Sequence, residues 1–141
     1  MNMNTQEKAE LMRILIQKKE LLSKMLEMTM QIKTELQQDR IDAFARAIGG
    51  RQTLITQIDA LTRAEHDFNA DDDLEVVALK KEIRGIVGQT LWQDEENTAL
   101  AQDKLQKYRE QIRHLNQTKK GVGHYARPIE PEDAFFVDAN K

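Results

Sequence analysis

Hydrophobic residues recur at alternating steps of three and four along the first part of the chain, a spacing that keeps them on one face of an α-helix. Two positions in this seam, Lys18 and Thr29, are polar. Further apolar residues widen the stripe beyond the needs of a two-stranded coil, which predicts that two neighbouring helices pack against it. We predict a helix over residues 5–36 within a bundle. The seam consists of Leu11, Leu15, Leu22, Met25, Ile32 and Leu36, and the widening residues are Ile14, Leu21, Leu26 and Met28.

The segment QQDRID interrupts this pattern and offers the start of a second helix. Asp39 suits an N-cap, and Asp42 places a negative charge in the first turn, where the helix dipole favours it. We therefore predict a second helix over residues 39–68. Because the turn has neither Gly nor Pro, one continuous helix through Gln37 and Gln38 stays open as an alternative. The second helix presents the apolar residues Ile41, Phe44, Ile48, Ile55, Ile58 and Leu61.

Two adjacent glycines, Gly49 and Gly50, lie in the middle of the predicted second helix. Each costs up to about 1 kcal/mol relative to Ala, so a structural reason for them is expected. One interpretation is a kink and the other is close packing. Antiparallel pairing with the next helix would place Trp92 opposite the glycines, which predicts that the indole packs over them.

The segment NADDDLE is the clearest break in the chain. Asn69 suits a helix C-terminus, and the three aspartates at 71–73 suit the N-terminal end of the next helix. The aspartates lack the alternating ligands and the Gly turn of a calcium loop, so capping is favoured over cation binding. Because residues 74–116 contain no proline, we predict a third helix over this range, about 63 Å long. Its apolar positions are Val76, Leu79, Ile83, Ile86, Leu91, Leu105, Tyr108, Ile112 and Leu115.

The predicted fold class is all-α, with an antiparallel helical hairpin plus a long third helix in an elongated bundle or coiled coil over residues 1–116. Pairing about a turn at Asp72 sets Ile58 near Arg84, and the third helix then projects beyond the hairpin after Ala101. No helix of the chain is left to bury the apolar stripe on that projection. We predict that it binds a partner, with a homodimer seam as the alternative. The stripe is Leu105, Tyr108, Ile112 and Leu115.

Residues 117–141 are predicted to form a flexible tail, because Gly121, Gly123, Pro128 and Pro131 end regular structure. Apolar side chains beyond a polar linker are a common form of docking segment. We expect the aromatic pair of the tail to lie over the apolar stripe of the third helix until a partner displaces it. The alternative is a tail whose aromatic residues serve only a second partner. The candidate docking residues are Tyr125, Phe135 and Phe136.

Composition narrows the possible functions. The 141 residues suffice for one domain. The net charge is -3, and Lys and Arg are scattered among Asp and Glu, so we do not expect the protein to bind nucleic acid. The absence of cysteine excludes disulfides and thiolate ligands, and it fits a cytoplasmic location. The early apolar run from Leu11 to Ile16 contains Arg13 and is too short for membrane insertion.

Residues that could carry catalysis are sparse and badly placed. The single serine, Ser23, lies in the middle of a predicted helix. The three histidines, His66, His114 and His124, have no spacing that would put two of them on one helical face. We therefore expect no catalytic residue, no cofactor and no metal site, and the chain is not predicted to be an enzyme.

Three features in order carry a resemblance to a known family: the Leu-rich first helix, the segment RQTLITQIDAL in the second, and an ending of the form NQTKKG, then Tyr, then FFVD. With these features the chain resembles the FlgN family of flagellar type III export chaperones, which is similar to the FliT family in size and helical build. The resemblance covers nearly the whole chain. Within the second segment the matching positions are Arg51, Leu54, Ile55, Ile58 and Leu61.

The resemblance implies a cytoplasmic chaperone that holds hook-associated proteins, the hook-filament junction proteins, before their secretion. Such a chaperone binds a terminal helical segment of its cargo and delivers it to the flagellar export gate or ATPase components. By the same resemblance, Tyr125 is a candidate for docking to the gate. The alternative is a structural coiled-coil or bundle protein whose stripe on the third helix closes a homo-oligomer.

Overall fold

The computed structural model describes residues 3–69 and 72–120, apart from the side chain of Lys120. Within these ranges the chain forms three α-helices and no strand: α1 (Thr5–Gln37), α2 (Ile41–Glu65) and α3 (Leu74–Lys120). The helices pack as an all-α bundle, which confirms the predicted fold class. The chain divides into two compact units, Met1–Glu95 and Glu96–Lys141.

Helix α1 begins where the sequence predicts, because Asn4 caps it. The Asn4 side chain accepts a hydrogen bond from the backbone N–H of Glu7 at 2.7 Å and donates one to the Glu7 carboxylate, also at 2.7 Å. This reciprocal pair satisfies a backbone donor that a helix N-terminus leaves without a partner. The cap therefore fixes the first turn.

The turn between α1 and α2 separates the two helices, so the continuous-helix alternative is wrong. Asp39 has a φ of 56°, the left-handed conformation that commonly follows a helix C-terminus. Its N–H donates to the Leu36 carbonyl at 3.2 Å, and the Arg40 N–H donates to the Glu35 carbonyl at 2.9 Å. These two bonds form a Schellman motif. Asp39 thus ends α1, and the prediction that it caps α2 is wrong, because an Asp tolerates both positions.

Helix α3 begins as predicted at an aspartate cap. The Asp73 carboxylate accepts hydrogen bonds from the N–H groups of Glu75 at 3.0 Å and Val76 at 3.1 Å. Its other oxygen lies 3.1 Å from Lys8 Nζ. One side chain therefore caps α3 and ties the start of α3 to the start of α1.

Ion pairs between helices establish their directions within the first unit. Lys8 pairs with Asp73 at 3.1 Å, and Lys19, further along α1, pairs with Glu82, further along α3, at 2.6 Å. Helices α1 and α3 therefore run parallel. Lys18, in the first half of α1, pairs at 3.4 Å with the last residue of α2. Helix α2 therefore runs antiparallel to both neighbours.

The core of the first unit confirms that two helices pack against the α1 stripe. Side chains from α1 meet Ile58 of α2 and Val76 and Ile83 of α3 in one cluster. Val76 is fully buried, as is Leu15 of the α1 stripe. Burying such side chains is the main stabilising contribution available to a bundle of this size. The α1 members of the cluster are Leu11, Leu15 and Leu22.

The polar residues that interrupt the α1 seam are accommodated within the bundle. Thr29 is fully buried, and its hydroxyl donates to the Met25 carbonyl at 2.7 Å. Lys18 pairs with Glu65, and both side chains are only 14% exposed. Thr29 and Lys18 thus each have a partner, as burial of a polar group requires.

Of the two adjacent glycines in α2, only Gly50 faces α1. A Cβ on Gly50 would lie 2.6 Å from the Met28 methyl carbon, whereas a Cβ on Gly49 would meet nothing within 4 Å. Trp92 is 60% exposed. The prediction that the indole packs over the glycines is therefore wrong: Gly50 allows a methionine of α1 to approach. Close packing explains Gly50, and nothing in the structure explains Gly49.

An ion pair joins α2 to α3 about one helical turn beyond the position that the predicted pairing gives. The predicted pairing of Gly50 with Trp92 would set Arg51 opposite Leu91, but Arg51 pairs with Asp94 at 2.5 Å. The offset is three residues, about one helical turn, which the long arginine side chain can bridge. Ile58 and Ile83 share the core cluster, as the predicted pairing of Ile58 with Arg84 expects.

Candidate partner-binding surface

The predicted stripe on α3 belongs to the second unit and is only partly open to solvent. Tyr108 is 46% exposed and Leu115 is 55% exposed, while Ile112 is half-buried. The three side chains follow one another at steps of four and three, so they share one face of the helix. We name Tyr108, Ile112 and Leu115 the α3 face.

Leu105 does not belong to this open surface. It is 8% exposed, and Ala101, one turn earlier, is 6% exposed. The expectation that the whole stripe after Ala101 lies uncovered is therefore wrong for Leu105. The open part of the stripe begins at Tyr108 and continues through a helix that ends at Lys120, four residues later than predicted.

The end of α3 is strongly basic, a feature that the charge of the whole chain conceals. Residues 104–120 contain six Lys and Arg but one Glu. On a helix, Lys104 and Arg109 flank the α3 face, and Lys119 follows Leu115 by one turn on the same face. Lys107, about 100° around the helix from Tyr108, pairs with Asp103 at 3.0 Å, and Arg113, about 140° around from Tyr108, is the basic residue farthest from the face. The α3 face therefore combines apolar side chains with a positive border, although over the whole sequence Lys and Arg are scattered among Asp and Glu.

A second apolar surface lies in the first unit, between α1 and α3. It is an open groove of about 550 Å³ lined by Leu26 and Met30 of α1 and by Trp92 of α3. Met30 is 48% exposed and Trp92 is 60% exposed. One residue of the groove was recognisable in the sequence: Leu26 is among the apolar residues that widen the α1 stripe. Reasoning from a register that set Trp92 against α2 missed the groove. Its remaining lining residues are Gly88, Gln89 and Gln93.

The shifted pKa values lie at the N-terminal parts of α1 and α3, away from both apolar surfaces. The hydrogen bond from the Val76 N–H, followed by the contact with Lys8, lowers the pKa of Asp73 below its usual value. The hydrogen bond to Asp73 raises the pKa of Lys8. Arg13 lowers the pKa of Glu10 through a salt bridge at 2.6 Å. These are the shifts expected of caps and ion pairs.

The described part of the chain offers neither a metal-binding cluster nor a membrane-spanning helix. Residues 3–69 and 72–120 contain no group of three or more His, Asp or Glu side chains placed to hold a metal ion. None of the three helices, over the same residues, combines the length and the apolar character needed to cross a bilayer. The α3 face and the groove are apolar surfaces that a partner could contact.

The aromatic residues predicted to dock, Tyr125, Phe135 and Phe136, lie outside the described residues. Of the predicted partner-binding residues, the structure places Tyr108, Ile112 and Leu115 together and buries Leu105. Comparisons with protein-family models, with curated proteins and with solved structures find no match to this chain.

Proposed function

We propose that the protein is a cytoplasmic flagellar export chaperone that binds hook-filament junction proteins and delivers them to the type III export apparatus. The α3 face carries the proposal. Tyr108 and Leu115 are large apolar side chains, each about half exposed, on one side of a continuous helix. Such a face suits an amphipathic helix of a client, which would lay its own apolar stripe against it.

The sequence resemblance supplies the class of client, and the physical character of the surface fits it. A helical segment presents apolar residues at steps of three and four, the steps by which the α3 face presents its own. The basic residues that border the face favour a segment that carries acidic residues beside its apolar stripe. We therefore expect the client segment to be helical, apolar on one face and acidic at its edges.

The experiment is to mix the purified chain with a purified hook-filament junction protein and to measure molar mass by size-exclusion chromatography with light scattering. A chaperone is expected to form a complex of fixed stoichiometry, in which binding replaces any self-association. The matched control is the same junction protein without its terminal helical segment, which should elute separately from the chain.

The alternative function is a structural bundle whose α3 face closes a homo-oligomer. In that case the chain keeps its own molar mass when the junction protein is added, and that mass exceeds one chain. A complex that forms equally well with the shortened junction protein would also contradict the proposal, because the terminal segment would then not be what the chaperone binds.

A further inference from the structure

The sequence beyond α3 complements the α3 face in both charge and apolarity. Residues 129–138, IEPEDAFFVD, contain four acidic residues and no Lys or Arg. Residues 104–120 contain six Lys and Arg and one Glu. The two segments thus carry opposite charge beside apolar side chains. The apolar residues of the acidic segment are Ile129, Phe135, Phe136 and Val137.

We infer that residues 129–138 bind the α3 face of the same chain and occupy it when no client is present. The segment offers aromatic side chains to Tyr108 and Leu115, which are 46% and 55% exposed. In sequence, its acidic residues are next to these aromatic residues. On α3, Lys104, Arg109 and Lys119 are next to the α3 face. Apolar contact provides the attraction, and charge complementarity provides the selectivity for this segment.

The chain between the two segments is long enough for this contact. Eight residues, 121–128, separate the last residue of α3 from Ile129, the first residue of the bound segment. Fully extended, they span about 26 Å. Tyr108 lies about 18 Å back along the helix from Lys120. The segment can therefore fold back over the whole α3 face with length to spare.

Tethering makes a weak contact sufficient. A segment joined to its binding site by a short linker is present at an effective concentration on the order of millimolar. Free client must compete with that concentration, so the segment lowers the apparent affinity of the α3 face for loosely matched sequences. A client that fits the face and carries acidic residues displaces it. The inference deepens the proposed function, since it concerns the same face, and it assigns the segment a role in selecting the client.

The test uses the full chain without any client. Because the chain has no cysteine, Ala139→Cys provides one attachment point for a nitroxide spin label. Amide signals of the ¹⁵N-labelled protein are then compared with the label oxidised and reduced. The inference predicts a selective loss of intensity for residues 108–119, and restored intensity when Phe135→Ser and Phe136→Ser are added. It also predicts that the intensity loss weakens as salt is raised.

Charge-reversal variants provide the matched control. Arg109→Glu with Lys119→Glu should abolish the intensity loss, because both reverse the border of the α3 face. Arg113→Glu, about 140° around the same helix from Tyr108, should leave it unchanged. Equal effects of the two changes would contradict the inference, since the attraction would then not involve this face.

Two further outcomes would overturn the inference. The first is an absence of selective intensity loss in the oxidised sample. The second is an intensity loss in a mixture of two chains, one with the spin label and no ¹⁵N, the other with ¹⁵N and no spin label. That loss would assign the contact to a second copy. Neither outcome bears on client binding, which is measured separately with the junction protein. Failure of this inference and failure of the proposed function are therefore distinguishable.

Discussion

Met28 occupies the space that a side chain at Gly50 would need: a Cβ there would lie 2.6 Å from the Met28 methyl carbon. The neighbouring Gly49 has no such contact, because a Cβ there would meet nothing within 4 Å. The two glycines thus have the same helical conformation and different surroundings. Substitution of Gly49 therefore measures the cost of a glycine in a helix alone, whereas substitution of Gly50 also measures the contribution of its contact with Met28.

Gly49→Ala should raise the free energy of unfolding by about 1 kcal/mol, the difference in helix propensity between the two residues. Gly50→Ala should raise it by less, because the Met28 side chain must move to admit the new methyl group. Urea unfolding followed by circular dichroism measures both. An equal gain at the two positions would show that Met28 moves freely and that Gly50 has no packing role.

Asp39→Gly should stabilise the protein by about 0.5 to 1 kcal/mol, because glycine adopts the left-handed conformation without the steric cost of a Cβ. Asp42→Gly, in the first turn of α2, is the matched control and should destabilise the protein, since it loses helix propensity and a favourable charge. Thermal unfolding of both variants shows whether each change raises or lowers the stability of the protein. Destabilisation by Asp39→Gly would mean that its side chain matters more than its backbone conformation.

Helix positions were predictable from the sequence because the signals that set them are local. Periodicity and the aspartates at 71–73 placed three helices with their ends within a few residues, and Asp73 bonds to the helix that it begins. The role of Asp39 was not predictable, since aspartate suits both an N-cap and a left-handed position.

The candidate site was predicted only in part for a different reason. The spacing of apolar residues along the sequence shows which side of a helix is apolar. This spacing identified Tyr108, Ile112 and Leu115. How far along the helix the stripe is covered depends on side-chain packing, which spacing does not reveal: Leu105 is 8% exposed although it continues the same stripe. Trp92 was misplaced because the predicted pairing turned it toward α2, whereas it lines a groove with Leu26 and Met30 of α1.

Lys18 and Glu65 form a mostly buried ion pair, and we expect their contributions to stability to be coupled. Lys18→Met should destabilise the protein by about 1 to 3 kcal/mol, because the Glu65 carboxylate, only 14% exposed, loses its cation. Adding Glu65→Met should recover most of that loss. The comparison variant is Glu10→Gln, whose partner Arg13 is 62% exposed, and it should have a much smaller effect. If the double variant is as unstable as the sum of its single changes, the two residues are not coupled.

Asp73 should make stability depend on pH in the acid range. Its folded-state pKa is lowered, first by the Val76 N–H and then by Lys8, so the folded protein favours the ionised carboxylate. Its contribution is complete above the unfolded-state pKa and is lost as pH falls through the folded-state value. Asp73→Ala should therefore lower the melting temperature at neutral pH, and the difference from the unmodified chain should shrink below pH about 4. A difference that stays constant across the acid range would exclude this linkage.

The central claim, that the α3 face binds the client, is tested most directly by titration calorimetry with the terminal helical segment of a hook-filament junction protein. Tyr108→Ser with Leu115→Ser should weaken binding by about tenfold or more while circular dichroism stays the same. Leu91→Ser is the control, because Leu91 is 58% exposed, close to the 55% of Leu115, and lies on α3 outside the face. Unchanged affinity of the double variant, or an equal loss in the control, would contradict the claim.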